Sequence, residues 1–140
     1  MQAGYDIMQI YTDPKQDFGI EKKADNSPLT LADKAAHCRI MAYLEPLGYP
    51  VLSEEGRHLP YEERCQWESL WIVDPLDGTK EFIKKNGEFT VNIAFVRNQT
   101  PVLGVIYVPA KGVLYWGGAE GAFRADVACG EVFPDVEDIF

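Results

Sequence analysis

The sequence is short of cysteine, histidine and positive charge, and each shortage argues against a class of function. Its three cysteines, Cys38, Cys65 and Cys129, are odd in number, far apart and in no C-x-x-C pattern. That argues against a disulfide framework and against a zinc site. The two histidines, His37 and His58, have no partner at metal-ligand spacing and read as structural or solvent-facing. Lysine and arginine together number 13 against 22 acids, giving a net charge of −9 and a pI near 4.6. A chain this acidic lacks the basic face that a nucleic-acid polymer or a membrane surface attracts. No apolar run approaches the ~18 residues of a transmembrane helix. The N-terminus lacks the charged and apolar regions of a signal peptide, so the cytoplasm, with the inner membrane as a peripheral location, is the expected compartment. There are no internal repeats and no low-complexity segment. What is present is 46% hydrophobic and 12% aromatic residues in 140, enough for the core of one ordinary domain.

Hydrophobic period sets the expected elements. Residues 3–12 read as an amphipathic helix through Ile7, Met8, Ile10 and Tyr11, broken by Asp13-Pro14. It begins almost at Met1, as if its first turns were missing. Residues 17–28 are polar and read as a loop. A second helix is predicted over 31–44, where Ala32, Ala36, Ile40 and Tyr43 recur at helical spacing. Thr30 is its N-cap, and Asp33 sits three residues on as a capping-box acid. Glu45-Pro46 and Gly48 end it. The period then becomes extended. Val51-Leu52 is a short strand, residues 56–69 are irregular, and Leu70 to Val73 reads as a strand buried on both faces. Phe89 to Val96, Val102 to Val108, Val113 to Trp116 and Ala122 to Arg124 follow as strands joined by tight turns. The fold class is α+β: two N-terminal helices packed on a mostly antiparallel sheet. Residues 125–140 carry five carboxylates and no clear period.

The densest chemistry lies in Asp74-Pro75-Leu76-Asp77-Gly78-Thr79, at the end of the strand. Pro75 fixes its own φ, and Gly78 permits a conformation that other residues resist. Two carboxylates can converge there. Backbone N–H groups at Asp77, Gly78 and Thr79 can face an anion if a short helix starts at that point. Carboxylates beside a phosphate-sized anion site suit Mg²⁺, which takes hard oxygen ligands and shares them with phosphate. An Asp-Gly pair alone is a common turn former; the longer run after a strand is far more specific. The acids are in the wrong phase for an EF-hand loop, D-x-x-D is not the D-x-D of an aspartyl-phosphate enzyme, and no P-loop motif occurs. Ser53-Glu54-Glu55-Gly56 follows the short strand and reads either as a charged loop or as a source of a third carboxylate for the same metal. Asp33 and Thr79 each read as a helix cap or as a group that orients water. Lys80, Lys84, Lys85 and Arg97 read as solvated surface charge or as a basic cluster that holds a second phosphate.

The run WIVDPLDGTKEF, with SPLTLADKAAH and LSEEG before it and NGEFTVNIAFV after it, resembles the inositol monophosphatase superfamily over roughly residues 3–124. Within it, KADNSP and KEFIKKNGEFTVNIA resemble the bacterial 3′(2′),5′-bisphosphate nucleotidase branch. The resemblance implies the first half of an αβαβα sugar-phosphatase fold and a lithium-sensitive phosphomonoesterase using two or three Mg²⁺ ions. Its implied reaction removes the 3′-phosphate of adenosine 3′,5′-bisphosphate, giving AMP and phosphate, in recycling for sulfate assimilation. The same-class alternative is an inositol or sugar monophosphatase; the other is an inactive metal-binding module. By resemblance, Glu54 binds the first Mg²⁺, Asp74 bridges two ions, Leu76 offers its carbonyl and Asp77 binds the second ion. Thr79 and Asp33 orient the attacking water. Gly78 and Thr79 hold the scissile phosphate by backbone N–H, and Lys23 approaches it; Glu54, Leu76 and Asp77 also line the substrate. A W-D-x-A pattern that supplies a further Asp in the family is not found: Trp67, Trp71 and Trp116 are followed by other residues. The expected organisation is therefore a metal- and phosphate-binding N-terminal domain over 1–124, an acidic divergent tail over 125–140, and no second domain. The partner is a small phosphorylated nucleotide, and the oligomeric state is left open.

Overall fold

The computed structural model describes residues 1–15 and 17–127. Two helices lie on one face of a six-stranded sheet. Helix α1 (Gln2–Tyr11) buries Ala3, Gly4 and Ile7. It approaches the sheet so closely that a Cβ on Gly4 would lie 2.3 Å from a ring carbon of Tyr107, which leaves room only for glycine. The predicted second helix is α2 (Leu31–Leu44), with Ala32, Ala36, Ile40 and Leu44 forming its buried stripe. Its start is a complete capping box: the Thr30 side chain accepts from the Asp33 N–H, and the Asp33 carboxylate accepts from the Thr30 N–H. A 3₁₀ turn over Glu45–Leu47 ends at Gly48, in the left-handed conformation at φ 75°.

The polar segment before α2 is not wholly irregular. Strands β1 (Glu21–Lys22) and β2 (Pro28–Leu29) pair as a small antiparallel hairpin. Two-residue strands are too short to show a period. The one-turn helix α3 (Tyr61–Arg64), inside the stretch expected to be irregular, is likewise too short to show one.

The main sheet runs in the order β3 (Val51–Ser53), β4 (Ser69–Asp77), β5 (Thr90–Arg97), β6 (Thr100–Val108), β7 (Val113–Gly118), β8 (Gly121–Asp126). From β4 to β8 it is an antiparallel meander; only β3 joins in parallel, with Ser53 opposite Val73. The strand read as buried on both faces is covered on one. Val73 is 2% exposed, but Ile72 is 42% exposed, on a sheet face shared with exposed Ile106 and Tyr115. β8 continues through Ala125 and Asp126, and Val127 packs into the core. Cys129 and the acids of the tail beyond Asp126 lie outside the described residues.

An aromatic cluster fixes the turn that follows β4. Helix α4 (Thr79–Ile83) buries Phe82 completely. Its ring lies 5.0–5.3 Å from those of Tyr11, Phe18 and Phe89. Burying one such side chain contributes ~1.5–3 kcal/mol, which anchors a helix too short to be stable by itself.

Candidate active site

Regular strand geometry would separate the two aspartates. Residues three apart in a strand point to opposite faces. The register shifts between them: Asp74 pairs with Asn92 and Asp77 with Thr90, so β4 carries one residue more than β5 over this interval. This bulge makes Pro75 and Leu76 both buried and returns Asp77 to the side of Asp74. Proline is tolerated there because the ladder is already interrupted.

The parallel pairing of β3 brings in the third carboxylate. The Glu54 N–H donates to the Val73 carbonyl at 3.0 Å, so Glu54 leaves the end of β3 beside Asp74 on β4. The group shows strong mutual influence. Burial, then the charge of Glu54 and a hydrogen bond with it, then the charge of Asp77, push the Asp74 carboxyl up to about 7. Its Oδ1 accepts from the Leu76 N–H at 3.2 Å. Lys23, on the hairpin loop, donates to Glu54 at 2.7 Å and to Glu55 at 2.6 Å. Partial burial acts to lower the Lys23 pKa, but its bonds to the two glutamates outweigh it, and the net shift is upward. Burial raises the Glu55 carboxyl in turn.

The second constellation lies at the start of α4. Gly78 is its N-cap, with φ 91°, and a Cβ there would lie 2.7 Å from the Glu88 carbonyl oxygen. Thr79 is therefore the first helical residue and makes no side-chain cap. Its Oγ1 instead lies 3.1 Å from Asp33 Oδ1 and 3.2 Å from the Leu76 carbonyl oxygen. A hydroxyl has one proton, so it donates to one of these at a time. Asp33 is fully buried, and its other oxygen takes bonds from the Thr30 N–H and hydroxyl. The cap reading of Asp33 and its pairing with Thr79 thus hold together, one on each carboxylate oxygen.

Arg97 stands apart from Lys80, Lys84 and Lys85, which lie on or just after α4. Arg97 pairs with Ser69 at the far end of β4, roughly 25 Å from Asp77 at strand rise, and its guanidinium lies over Phe95. Lys84 pairs with Glu81. Lys85 donates to the Tyr11 carbonyl and covers the C-terminal end of α1. His37 is structural, its Nδ1 2.9 Å from Ser53 Oγ under the end of β3. Asn92 carried no signal beyond being an amide in an apolar strand, where asparagine is uncommon; its Nδ2 donates to Asp77 Oδ2 at 3.2 Å.

Hard oxygen donors from Glu54, Asp74 and Asp77, with Asp74 pushed up to about 7 by burial and then by the other two, fit a divalent cation of the Mg²⁺ type. As placed, Glu54 turns to Lys23 and Asp77 to Asn92. Among the described residues no three His, Cys, Asp or Glu side chains close on a single point.

A family model for the inositol monophosphatase family matches residues 1–134. The chain belongs to the inositol monophosphatase family. It is 54% identical over 121 residues to the 3′(2′),5′-bisphosphate nucleotidase CysQ of Escherichia coli (strain K12), covering 85% of this chain and 48% of the relative. Against CysQ of Salmonella typhimurium it is 48% identical over 130 residues, 91% of this chain and 51% of the relative. The crystal structure of CysQ from Bacteroides thetaiotaomicron superposes with a TM-score of 0.82 at 56% identity, over 96% of this chain and 48% of that one. An IMPase/NADP phosphatase complexed with Mg²⁺ and phosphate shares the fold, with a TM-score of 0.73 at 24% identity over 88% of this chain and 46% of that one. The chain spans about half the length of the curated relatives it matches. The α+β architecture expected from the sequence is that of the inositol monophosphatase fold. Among the described residues no helix is long and apolar enough to cross a membrane.

Proposed function

We propose that this chain carries the metal- and phosphate-binding part of a Mg²⁺-dependent phosphomonoesterase, within residues 1–124. The observation that supports this most is that Glu54 and Asp77 both come near enough to Asp74 to act on its carboxyl, with the Thr79–Asp33 pair at the helix start that follows. In this reading Glu54, Asp74, the Leu76 carbonyl and Asp77 hold the metal. Bound Mg²⁺ supplies Lewis acidity to water and to phosphate oxygens. The Thr79 hydroxyl donates to Asp33 Oδ1, so its lone pairs accept a proton from an attacking water. Asp33 receives the Thr79 proton in turn and acts as the base at the end of the relay. The backbone N–H groups of Gly78 and Thr79 hold the phosphate. Lys23, already paired with Glu54, neutralises charge on the same side.

The substrate is adenosine 3′,5′-bisphosphate, whose 3′-phosphate is removed to give AMP and phosphate. Identity of 54% to enzymes named as 3′(2′),5′-bisphosphate nucleotidases supports this choice. A second reading, an inositol or sugar monophosphatase, draws on the likeness to Bartonella henselae suhB, at 30% identity and a TM-score of 0.78. Phosphate release from adenosine 3′,5′-bisphosphate and from inositol 1-phosphate, measured side by side with Mg²⁺, separates them. The nucleotide is expected to turn over faster, and faster turnover of the inositol ester overturns the ranking. Activity that survives Asp74→Asn overturns the metal assignment as well.

A further inference from the structure

Asn92 is the one polar residue between Val91 and Ala94 on β5, in a strand where apolar β-branched side chains would be more stable. It sits opposite Asp74 in the ladder, yet its amide reaches past that residue to Asp77 Oδ2, across the bulge. The amide is itself oriented. The Thr90 hydroxyl donates to Asn92 Oδ1 at 3.0 Å. An ionised Asp77 offers only acceptors, so the Nδ2 edge must face it. Thr90, at the start of β5, thus fixes the Asn92 amide, and Asn92 in turn donates to Asp77.

We propose that Asn92 is a positioning residue for the metal site: it binds one oxygen of Asp77 and leaves the other turned towards Asp74 and Glu54. This rests on the metal reading of those carboxylates. A neutral donor suits the task. A lysine there would compete with a cation, and an aspartate would add a fourth carboxylate beside Glu54, Asp74 and Asp77. Without the amide, Asp77, which is exposed, rotates freely and must be ordered when the metal arrives.

The test is isothermal titration of Mg²⁺ into the 140-residue chain and into Asn92→Val, Thr90→Val and Asp74→Asn, with metal-free melting curves for each. Losing a partner of this kind costs on the order of tenfold in metal affinity. Asn92→Val is expected to bind Mg²⁺ about tenfold more weakly while its metal-free Tm stays equal or rises, since valine suits a strand. A residue with only a structural role would not separate the two readouts in that direction. Thr90→Val is expected to weaken binding in the same direction by a smaller factor. If Asn92→Val and Thr90→Val bind as the parent does while Asp74→Asn loses affinity, the inference about Asn92 is overturned and the metal reading stands. If Asp74→Asn binds as tightly as the parent, or the parent shows no saturable binding, the metal reading is overturned and this inference with it.

Discussion

Asp74→Asn should make the metal-free protein more stable while weakening its metal binding. The native carboxyl titrates at about 7 against an ordinary 3.8, a shift that corresponds to roughly 4 kcal/mol at 1.36 kcal/mol per pH unit. Asp74 is only partly buried, so solvent screening reduces this to about 1–2 kcal/mol. The sign follows from proton counting. Between pH ~4 and ~7 the folded state holds a proton on Asp74 that the unfolded state has lost, so stability falls as pH rises through that window. Asparagine removes the penalty, and its side-chain oxygen can still accept from the Leu76 N–H. In chelator at pH 8 the variant should melt about 3–8 °C higher than the parent for a domain of this size, and at pH 4 the two should coincide. Saturating Mg²⁺ should then raise the Tm of the parent and leave the variant nearly unmoved. Thermal melts at the two pH values, with and without Mg²⁺, read all of this. A variant that melts at or below the parent at pH 8, with no dependence on pH, refutes the claim that burial and the neighbouring carboxylates strain an ionised Asp74.

Further consequences can be checked on the same material. Asp33→Ala removes a buried carboxylate that caps α2 and meets Thr79, and urea denaturation should show a loss of about 2–4 kcal/mol. Thr79→Val should cost only about 1 kcal/mol in the same assay yet abolish phosphate release; retained turnover would exclude the hydroxyl from the proton relay. Gly78→Ala should destabilise by about 1–3 kcal/mol, because φ 91° and the Glu88 carbonyl oppose a side chain there; an unchanged midpoint would mean that the turn relaxes freely.

Much of the local structure can be read directly from residue order. Thr30 and Asp33 mark the start of α2, Gly48 ends it, and the alternation around Val91, Ile93 and Phe95 marks β5. Those signals are local, set by hydrogen bonds and side-chain periods within a few residues. The hairpin of β1 and β2 and the single turn of α3 were not legible because elements so short contain no period. Arg97 lies one strand on from the aspartates, but the antiparallel pairing of β5 with β4 carries it to the opposite end of β4.

The candidate site divides in the same way. Residue order alone determined the supply of donors: two aspartates beside a proline and a glycine, a glutamate after a strand, a threonine after the glycine. Only the tertiary structure decided which of them approach one another. A bulge puts Asp74 and Asp77 on one side, parallel pairing with β3 delivers Glu54, and the buried start of α2 offers Asp33 to Thr79 from 46 residues away. Asn92 and Lys23 gained their places at the carboxylates in the same step. Strand register and helix packing are settled by which apolar faces must be buried together, so contacts between distant segments follow from the assembled core and from no single stretch of sequence.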